Sequence, residues 1–159
     1  MKRADLFKEP SINQIKFKQL EKLLKVIVEK IDADQDVTKE ISSFHKVAEK
    51  NNFYELYSFE NYWRSSEEEE FINEILIPEA PKIENITLDE ILYIIQKFET
   101  GKIIFVSYYI DLLTKSTKYP YVHDIIFWPN TLGYDLHIEA KEVAKIIFLN
   151  EVPPTKENT

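Results

Sequence analysis

The sequence of 159 residues contains no cysteine and only two glycines, Gly101 and Gly133. Without cysteine the chain can form no disulfide, no thiol nucleophile and no cysteine-ligated zinc site. Glycine-rich loops bring backbone amides close to phosphate groups, so the scarcity of glycine excludes a P-loop and a dinucleotide-binding fingerprint. Few glycines, helical periodicity and turns made by proline, asparagine and aspartate predict an all-α protein.

Clustered basic residues and long apolar runs are also missing. The chain has 28 acidic against 20 basic residues and a formal net charge of −8, whereas nucleic-acid binding needs grouped lysines and arginines. No segment approaches the roughly 18 uncharged apolar residues of a membrane-spanning helix, and the N-terminus lacks the apolar core of a signal peptide. We expect a soluble, cytoplasmic protein that binds neither nucleic acid nor membrane, and whose acidity attracts a basic partner.

No pattern in the sequence indicates catalysis. The three histidines, His45, His123 and His137, have no metal-ligand spacing, and no serine lies in a nucleophile-elbow motif. Carboxylates are so numerous that no single pair of them is informative. We therefore predict no enzyme activity, no catalytic residue, no metal and no cofactor.

The chain is predicted to contain a helical N-terminal region, 1–81, followed by a helical module, 82–159. Apolar residues at intervals of three and four predict a first helix over about 11–31, and its lysine-rich opposite face is expected to be solvated. Asp36 can cap a second helix that completes a helical hairpin.

The second half of the N-terminal region has weaker patterns. Residues 51–64 contain six aromatic residues without a clear period and are predicted to be irregular. Ser66 can cap a short acidic helix, which Pro78 and Pro81 terminate. The role of residues 1–60 stays open: they can complete the core, enlarge an interface or cover a surface of the module.

The helical module begins with a strong local signal. Thr87 and Glu90 form a capping box, and Gly101 can end the helix that follows. The next segment, 102–118, is apolar around most of its circumference, so it must be buried on several sides. A partner protein or the N-terminal half of the chain can supply one of those sides, and the pattern alone does not distinguish them.

A short aromatic segment follows, KYPYVHDIIFWP, from Lys118 to Pro129. It is bracketed by prolines and too short for a core helix, which favours a surface for another protein. Asp124 within it can accept hydrogen bonds from a partner or cap its own short helix. A final helix is predicted over about 138–149, and the tail after it, VPPTKENT, is predicted to be frayed.

The layout from Thr87 to Leu149 resembles the immunity proteins of DNase-type colicins and pyocins. That family has a first helix opened by threonine and acids, as in TLDEILYIIQKF here, and a variable second helix that determines partner choice. It then has His-Pro, three variable positions, and the motif Asp, two aliphatics, two tyrosines, Pro. Tyr119-Pro120 and the segment 124–129 reproduce this spacing. The resemblance implies a C-terminal four-helix bundle with an additional helical N-terminal region.

The resemblance also implies a function and a site. The chain would be a monomeric immunity protein that binds a cognate toxin, a nuclease domain with a basic surface, and blocks access of its substrate. Phe127 and Trp128 replace the paired tyrosines as the anchor, and the second helix carries fewer acids than is usual in the family. The implied partner-binding residues are Val106, Ile110, Asp111, Thr114, Tyr121, Val122, Asp124, Phe127, Trp128 and Pro129.

An alternative function belongs to a different class. An exposed apolar surface on the 102–118 helix would also suit a small helical adaptor or regulator that self-associates through this helix. A stable dimer formed without any toxin would favour that alternative, whereas a monomer with exposed rings would favour a toxin partner.

Overall fold

The computed structural model describes residues 2–49, 68–100 and 105–157. Within these ranges the protein is entirely helical and has no strand, which confirms the all-α prediction. None of the described helices combines the length and the apolar character needed to cross a membrane. The α-helices are α1 (Gln14–Asp32), α2 (Thr38–Ala48), α3 (Glu68–Leu76), α4 (Leu88–Glu99), α5 (Val106–Thr117), α6 (Val122–Phe127) and α7 (Ala140–Leu149).

Three short 3₁₀ helices accompany the α-helices: Arg3–Phe7, Pro129–Leu132 and Pro154–Lys156. Three predicted features, the irregular segment 51–64, the cap at Ser66 and the helix end at Gly101, lie outside the described residues.

The chain forms two compact units. The N-terminal unit is Pro10–Pro78, and the C-terminal unit combines Met1–Glu9 with Glu79–Thr159. The junction at residue 78 lies three residues before the predicted one at 81. The first nine residues, here called the N-terminal arm, group with the C-terminal unit although 69 residues separate them from it in sequence.

The described part of the N-terminal unit contains α1, α2 and α3. The Asn13 side chain accepts hydrogen bonds from the backbone N–H groups of Ile15 and Lys16, both at 3.1 Å, so α1 begins slightly later than the pattern predicted. Asp36 accepts hydrogen bonds from the backbone and hydroxyl of Thr38 at the start of α2. Apolar faces of the three helices share one core, which contains Leu20, Leu24, Ile27, Phe44, Ala48, Ile72 and Ile75.

The predicted capping box opens α4 in the C-terminal unit. The Thr87 hydroxyl accepts a hydrogen bond from the Glu90 N–H at 3.2 Å, and the Glu90 carboxylate accepts one from the Thr87 N–H at 2.9 Å. This confirms the start of the helix. α4 then packs against α7, and the residues they bury are Ile91, Ile94, Ile95, Val143, Ala144, Ile146 and Ile147.

The N-terminal arm is attached to the start of α4 by charge and ring contacts. The Arg3 guanidinium donates to both carboxylate oxygens of Glu90, at 2.6 and 2.7 Å, and to the backbone carbonyls of Glu84 and Asn85. The hydrogen bond from Arg3 lowers the pKa of the Glu90 carboxyl. The arm also places the Phe7 ring edge-on against Tyr93. Glu90 therefore serves two purposes, as helix cap and as anchor for the arm.

Most of the side chains described for helix α5 contact other residues of the C-terminal unit. Its polar side holds the segment that precedes α4: Lys115 binds the Glu79 carboxylate at 2.9 Å and the Ala80 carbonyl at 3.2 Å, and the Ser116 hydroxyl accepts from the Ile83 N–H at 2.9 Å. Burial raises the pKa of one α5 phenol, Tyr109, to about 12. The side chains that α5 buries are Tyr108, Tyr109, Leu112 and Leu113.

The described part of the C-terminal tail packs on the C-terminal unit and forms the 3₁₀ helix Pro154–Lys156, so it differs from the predicted frayed tail. Pro153 is buried, and the Thr155 hydroxyl donates to the Thr131 carbonyl at 3.4 Å. Pro154 lies against Gly133, where an added Cβ atom would come within 3.0 Å of the Pro154 Cβ. The tail packs on the turn after α6, and this packing supplies the order that its composition does not predict.

Candidate functional site

The aromatic segment forms helix α6 and the turn after it. α6 has six residues, and Val122 and Ile125, three positions apart, face the core with at most 1% of their surface exposed. Pro129 is also buried at the start of the following 3₁₀ helix. These three side chains fix the segment to the C-terminal unit, while Phe127 and Trp128 emerge between the buried positions.

Trp128 is displayed by a backbone that is held on both sides. Its φ and ψ of −137° and 51° take the chain out of the helix, and its N–H donates to the Asp124 carbonyl at 2.7 Å. Its own carbonyl accepts from the Thr131 N–H at 2.9 Å and from the Thr131 hydroxyl at 2.7 Å. The side chain is nevertheless 56% exposed. A large ring on a fixed backbone is well suited to anchoring a partner, because little backbone freedom is lost on binding.

Phe127 is exposed on one side and packed on the other. The side chain is 37% exposed, and its ring meets Phe98 of α4 edge-on at 5.7 Å and His123 at 5.1 Å. The edge-to-face contact with Phe98 favours one ring orientation, and the His123 ring lies tilted against Phe127. Together, Phe127 and Trp128 form the aromatic pair of this surface.

Asp124 does not cap α6, so that alternative is wrong. The N-cap position is Tyr121, and no side chain bonds to the helix start there. The Asp124 carboxylate instead lies 3.3 Å from the Nδ1 atom of His123, and about half of its surface is exposed. It lies in the first turn of α6, where negative charge is favourable. The carboxylate remains accessible for hydrogen bonds from another molecule.

The other sequence-predicted site residues divide by exposure. On α5, Thr114 is exposed and Val106, Ile110 and Asp111 are partly exposed, with Asp111 paired to Lys115 at 3.0 Å. Tyr121 is partly exposed and meets the Tyr119 ring edge-on at 5.8 Å. Val122 and Pro129 are buried, so their side chains hold the segment that carries Phe127 and Trp128 and do not face solvent. α5 and α6 pack against each other within the same unit.

A shallow groove beside Phe127 was not predicted from the sequence. It has a volume of about 260 Å³ and is formed by the end of α4, α6, and the start of α7. Phe98 and Leu136, which line the groove, were not among the predicted site residues. Apolar residues at 136 and 138, so soon after an aromatic pair, are the signal that could have indicated it.

A larger cleft of about 620 Å³ lies between the N-terminal arm and α4. Several of its charged groups already have partners within the chain: Arg3 binds Glu90, and the Lys97 ammonium lies 4.8 Å from the centre of the Tyr93 ring. Within the ranges that the structure describes, no group of three acidic or histidine side chains has an arrangement that could hold a metal ion.

The C-terminal unit is thus a small all-α module with an aromatic pair on a fixed turn. Residues 83–147 match the family model described as colicin immunity protein / pyocin immunity protein. The match covers about two fifths of the chain and contains α4, α5, α6 and most of α7. It confirms the family resemblance for this C-terminal part. No curated protein and no solved structure matches the chain significantly.

Proposed function

We propose that this protein is an immunity protein that binds a cognate bacterial toxin and neutralises it. One observation carries the proposal: the part that matches the immunity family displays Phe127 and Trp128 on its surface. The spacing of the motif they belong to suggests that they replace the family's paired tyrosines. Large neighbouring rings on a protein surface are typical of binding hot spots. Replacement of the tyrosines removes their hydroxyls but leaves a larger contact area and the indole N–H as a donor.

The proposed mechanism requires high-affinity binding and no catalysed reaction. The hydrogen bonds on both sides of Trp128 hold its backbone before the partner arrives, which reduces the entropy lost on association. Phe98 and His123 limit the motion of the Phe127 ring in the same way. Inhibition then follows from occupying space on the toxin, and no residue of this chain acts as a catalyst.

We further propose that the toxin is a nuclease domain with a basic surface. The chain has a net charge of −8, and Asp111 and Asp124 lie among the partly exposed residues near α5 and α6. Opposite charges accelerate association and orient the partners before contact. A bound acidic protein beside a nuclease active site excludes the nucleic acid both sterically and electrostatically.

No observation favours the alternative of self-association through the 102–118 helix. Four large side chains of α5 are buried within the C-terminal unit: Tyr108, Tyr109, Leu112 and Leu113. The polar side of the helix is partly occupied by the segment at Glu79 and Ala80. The apolar surface on which that alternative depended is therefore small in the described part of the helix.

The direct test uses the toxin domain that the proposal predicts in the adjoining reading frame. Cells that express this domain should die without the immunity protein and survive with it, and the catalytically inactive domain is the control for expression load. Purified toxin should cleave DNA or RNA, and cleavage should stop at a one-to-one ratio with this protein. Killing that is unchanged by co-expression would contradict the proposed function.

A further inference from the structure

The groove beside Phe127 has the size for a protein side chain. Its volume is about 260 Å³, whereas sites for small-molecule ligands usually measure about 300–1,000 Å³ and carry several polar groups. Its described lining is apolar except for Glu99, and includes Phe98, Ile125, Leu136 and Val143. A shallow apolar depression of this size fits one branched aliphatic or aromatic side chain.

The negative charge of Glu99 at the groove indicates which kind of residue should lie next to that side chain in the partner. Glu99 is exposed at the end of α4, and among the residues that the structure describes it has no ion-pair partner. The described lining contains neither lysine nor arginine. A carboxylate at the rim of an apolar depression favours a partner residue that carries positive charge next to an apolar group.

The groove is continuous with the aromatic pair. Phe127 forms part of the groove wall and is held against Phe98, which lines the same groove. Its neighbour Trp128 is outside the described lining and largely exposed. A molecule that covers Phe127 therefore also reaches the groove.

We propose that the groove receives an apolar side chain of the toxin, and that an adjacent lysine or arginine of the toxin pairs with Glu99. This inference rests on the proposed function. It adds a second contact to the interface: the aromatic pair packs against the surface of the toxin, and a toxin side chain enters the groove. The toxin segment that enters is thus an apolar residue next to a basic one, on a surface loop or helix.

The first experiment tests the groove without any toxin. Tryptamine, a ring with a positive charge, and indole-3-acetate, the same ring with a negative charge, are titrated into the full chain and followed by methyl NMR. Tryptamine should shift the methyl signals of Ile95, Ile125 and Val143, and indole-3-acetate should shift them less. Glu99→Gln should remove this difference. Absence of shifts at these methyls, or equal binding of both compounds, would overturn the assigned chemistry.

The second experiment tests whether the toxin occupies the groove. Ala140 lines the groove and is partly exposed, so Ala140→Phe fills it, while Gln96→Phe adds the same ring on α4 outside the described lining. Ala140→Phe should weaken toxin binding about tenfold or more, the loss typical of an obstructed central contact. Gln96→Phe should leave toxin affinity unchanged.

A conservative variant guards against misfolding in the second experiment. Glu99→Gln should weaken toxin binding about threefold to tenfold at low salt, and the loss should shrink at high salt because salt screens charge pairs. If the native chain binds the toxin and Trp128→Ala weakens binding, but Ala140→Phe and Glu99→Gln do not, the groove inference is wrong and the proposed function stands. If the native chain does not bind the toxin, the proposed function itself fails.

Discussion

Helices α5 and α6 are both apolar and follow each other in sequence, yet they use their apolar residues in opposite ways. α5 buries Leu112 and Leu113 completely, and its polar side binds the segment before α4 through Lys115 and Ser116. α6 buries Val122 and Ile125, which fix it in place, whereas its last residue, Phe127, and the next one, Trp128, are exposed. The comparison shows that the apolar content of a helix does not indicate which of two neighbours is available to a partner.

Length explains the difference between the two helices. α5 has 12 residues, so it presents several faces to the unit and can be covered by α6 and by the segment around Ala80. α6 has six residues, fewer than two full turns, and cannot bury consecutive large side chains at its end. Its last residue and the next one are therefore left facing outward.

The largest expected effect comes from removing a buried side chain of α5. Leu112→Ala should lower the free energy of unfolding by about 2–5 kcal/mol, because it leaves a cavity in the core of the C-terminal unit. Urea denaturation followed by circular dichroism measures the loss. Ile110→Ala, on the same helix but partly exposed, is the control and should cost less. Equal losses for both variants would contradict the burial difference on α5.

The second effect concerns the aromatic pair. Trp128→Ala should weaken toxin binding by about 2–4 kcal/mol, which is roughly 30- to 1,000-fold in Kd. Its effect on unfolding should stay within about 0.5 kcal/mol, as for surface substitutions. Isothermal titration calorimetry and denaturation give the two numbers. Phe148→Ala removes another exposed ring, on α7, and should not change affinity. If Trp128→Ala bound the toxin as tightly as the native chain, Trp128 would not be an anchor of the interface.

The third effect tests how the turn after α6 is held. Gly133 has a φ of 90°, and a Cβ atom at this position would approach the Pro154 Cβ to 3.0 Å. Gly133→Ala should therefore lower the free energy of unfolding by about 1–3 kcal/mol. Asn130→Ala, in the same turn, is the matched control and should be nearly neutral. A Gly133→Ala variant as stable as the native protein would show that the tail does not constrain the turn.

The smallest effect is a pH dependence on the polar side of α5. The hydrogen bond from Lys115 lowers the pKa of the Glu79 carboxyl below its ordinary value of 4.5. A carboxyl group whose pKa is lower in the folded than in the unfolded state stabilises the fold at pH values above its unfolded pKa. This stabilisation is lost as the pH falls through the pKa of the folded state. Lys115→Met should therefore flatten the loss of stability below about pH 4.5.

Thermal unfolding between pH 3 and 7 checks this prediction. Lys145→Met is the control, because its ammonium contacts Glu142 at the longer distance of 3.5 Å on an exposed part of α7. Parallel pH profiles for the native chain and Lys115→Met would contradict a structural role for the pair between Lys115 and Glu79.

Local chemistry determined what the sequence could predict. The capping box at Thr87 and Glu90 involves residues three positions apart, so its spacing alone was sufficient to place the start of α4. The aromatic motif around Asp124 likewise indicated the family resemblance that the match to residues 83–147 confirms. Periodicity was adequate for α5 because a helix of 12 residues repeats its pattern several times.

Distant contacts determined what the sequence could not predict. The tail is ordered by packing on the turn at Gly133, and the groove joins parts of α4, α6 and α7 that lie far apart in the chain. Within α6 the run of apolar residues is too short for any period, so burial of Val122 and exposure of Phe127 could not be separated beforehand.

The attachment of Arg3 to Glu90 also affects how the chain folds during translation. The arm leaves the ribosome before α4, and its binding site at Glu90 follows only after more than 80 further residues have been synthesised. During that interval the N-terminal unit can fold, while Arg3 of the arm cannot yet bind Glu90. A fragment that begins at residue 79 would contain the family-matched helices and the capping box of α4 but lack the guanidinium that binds Glu90.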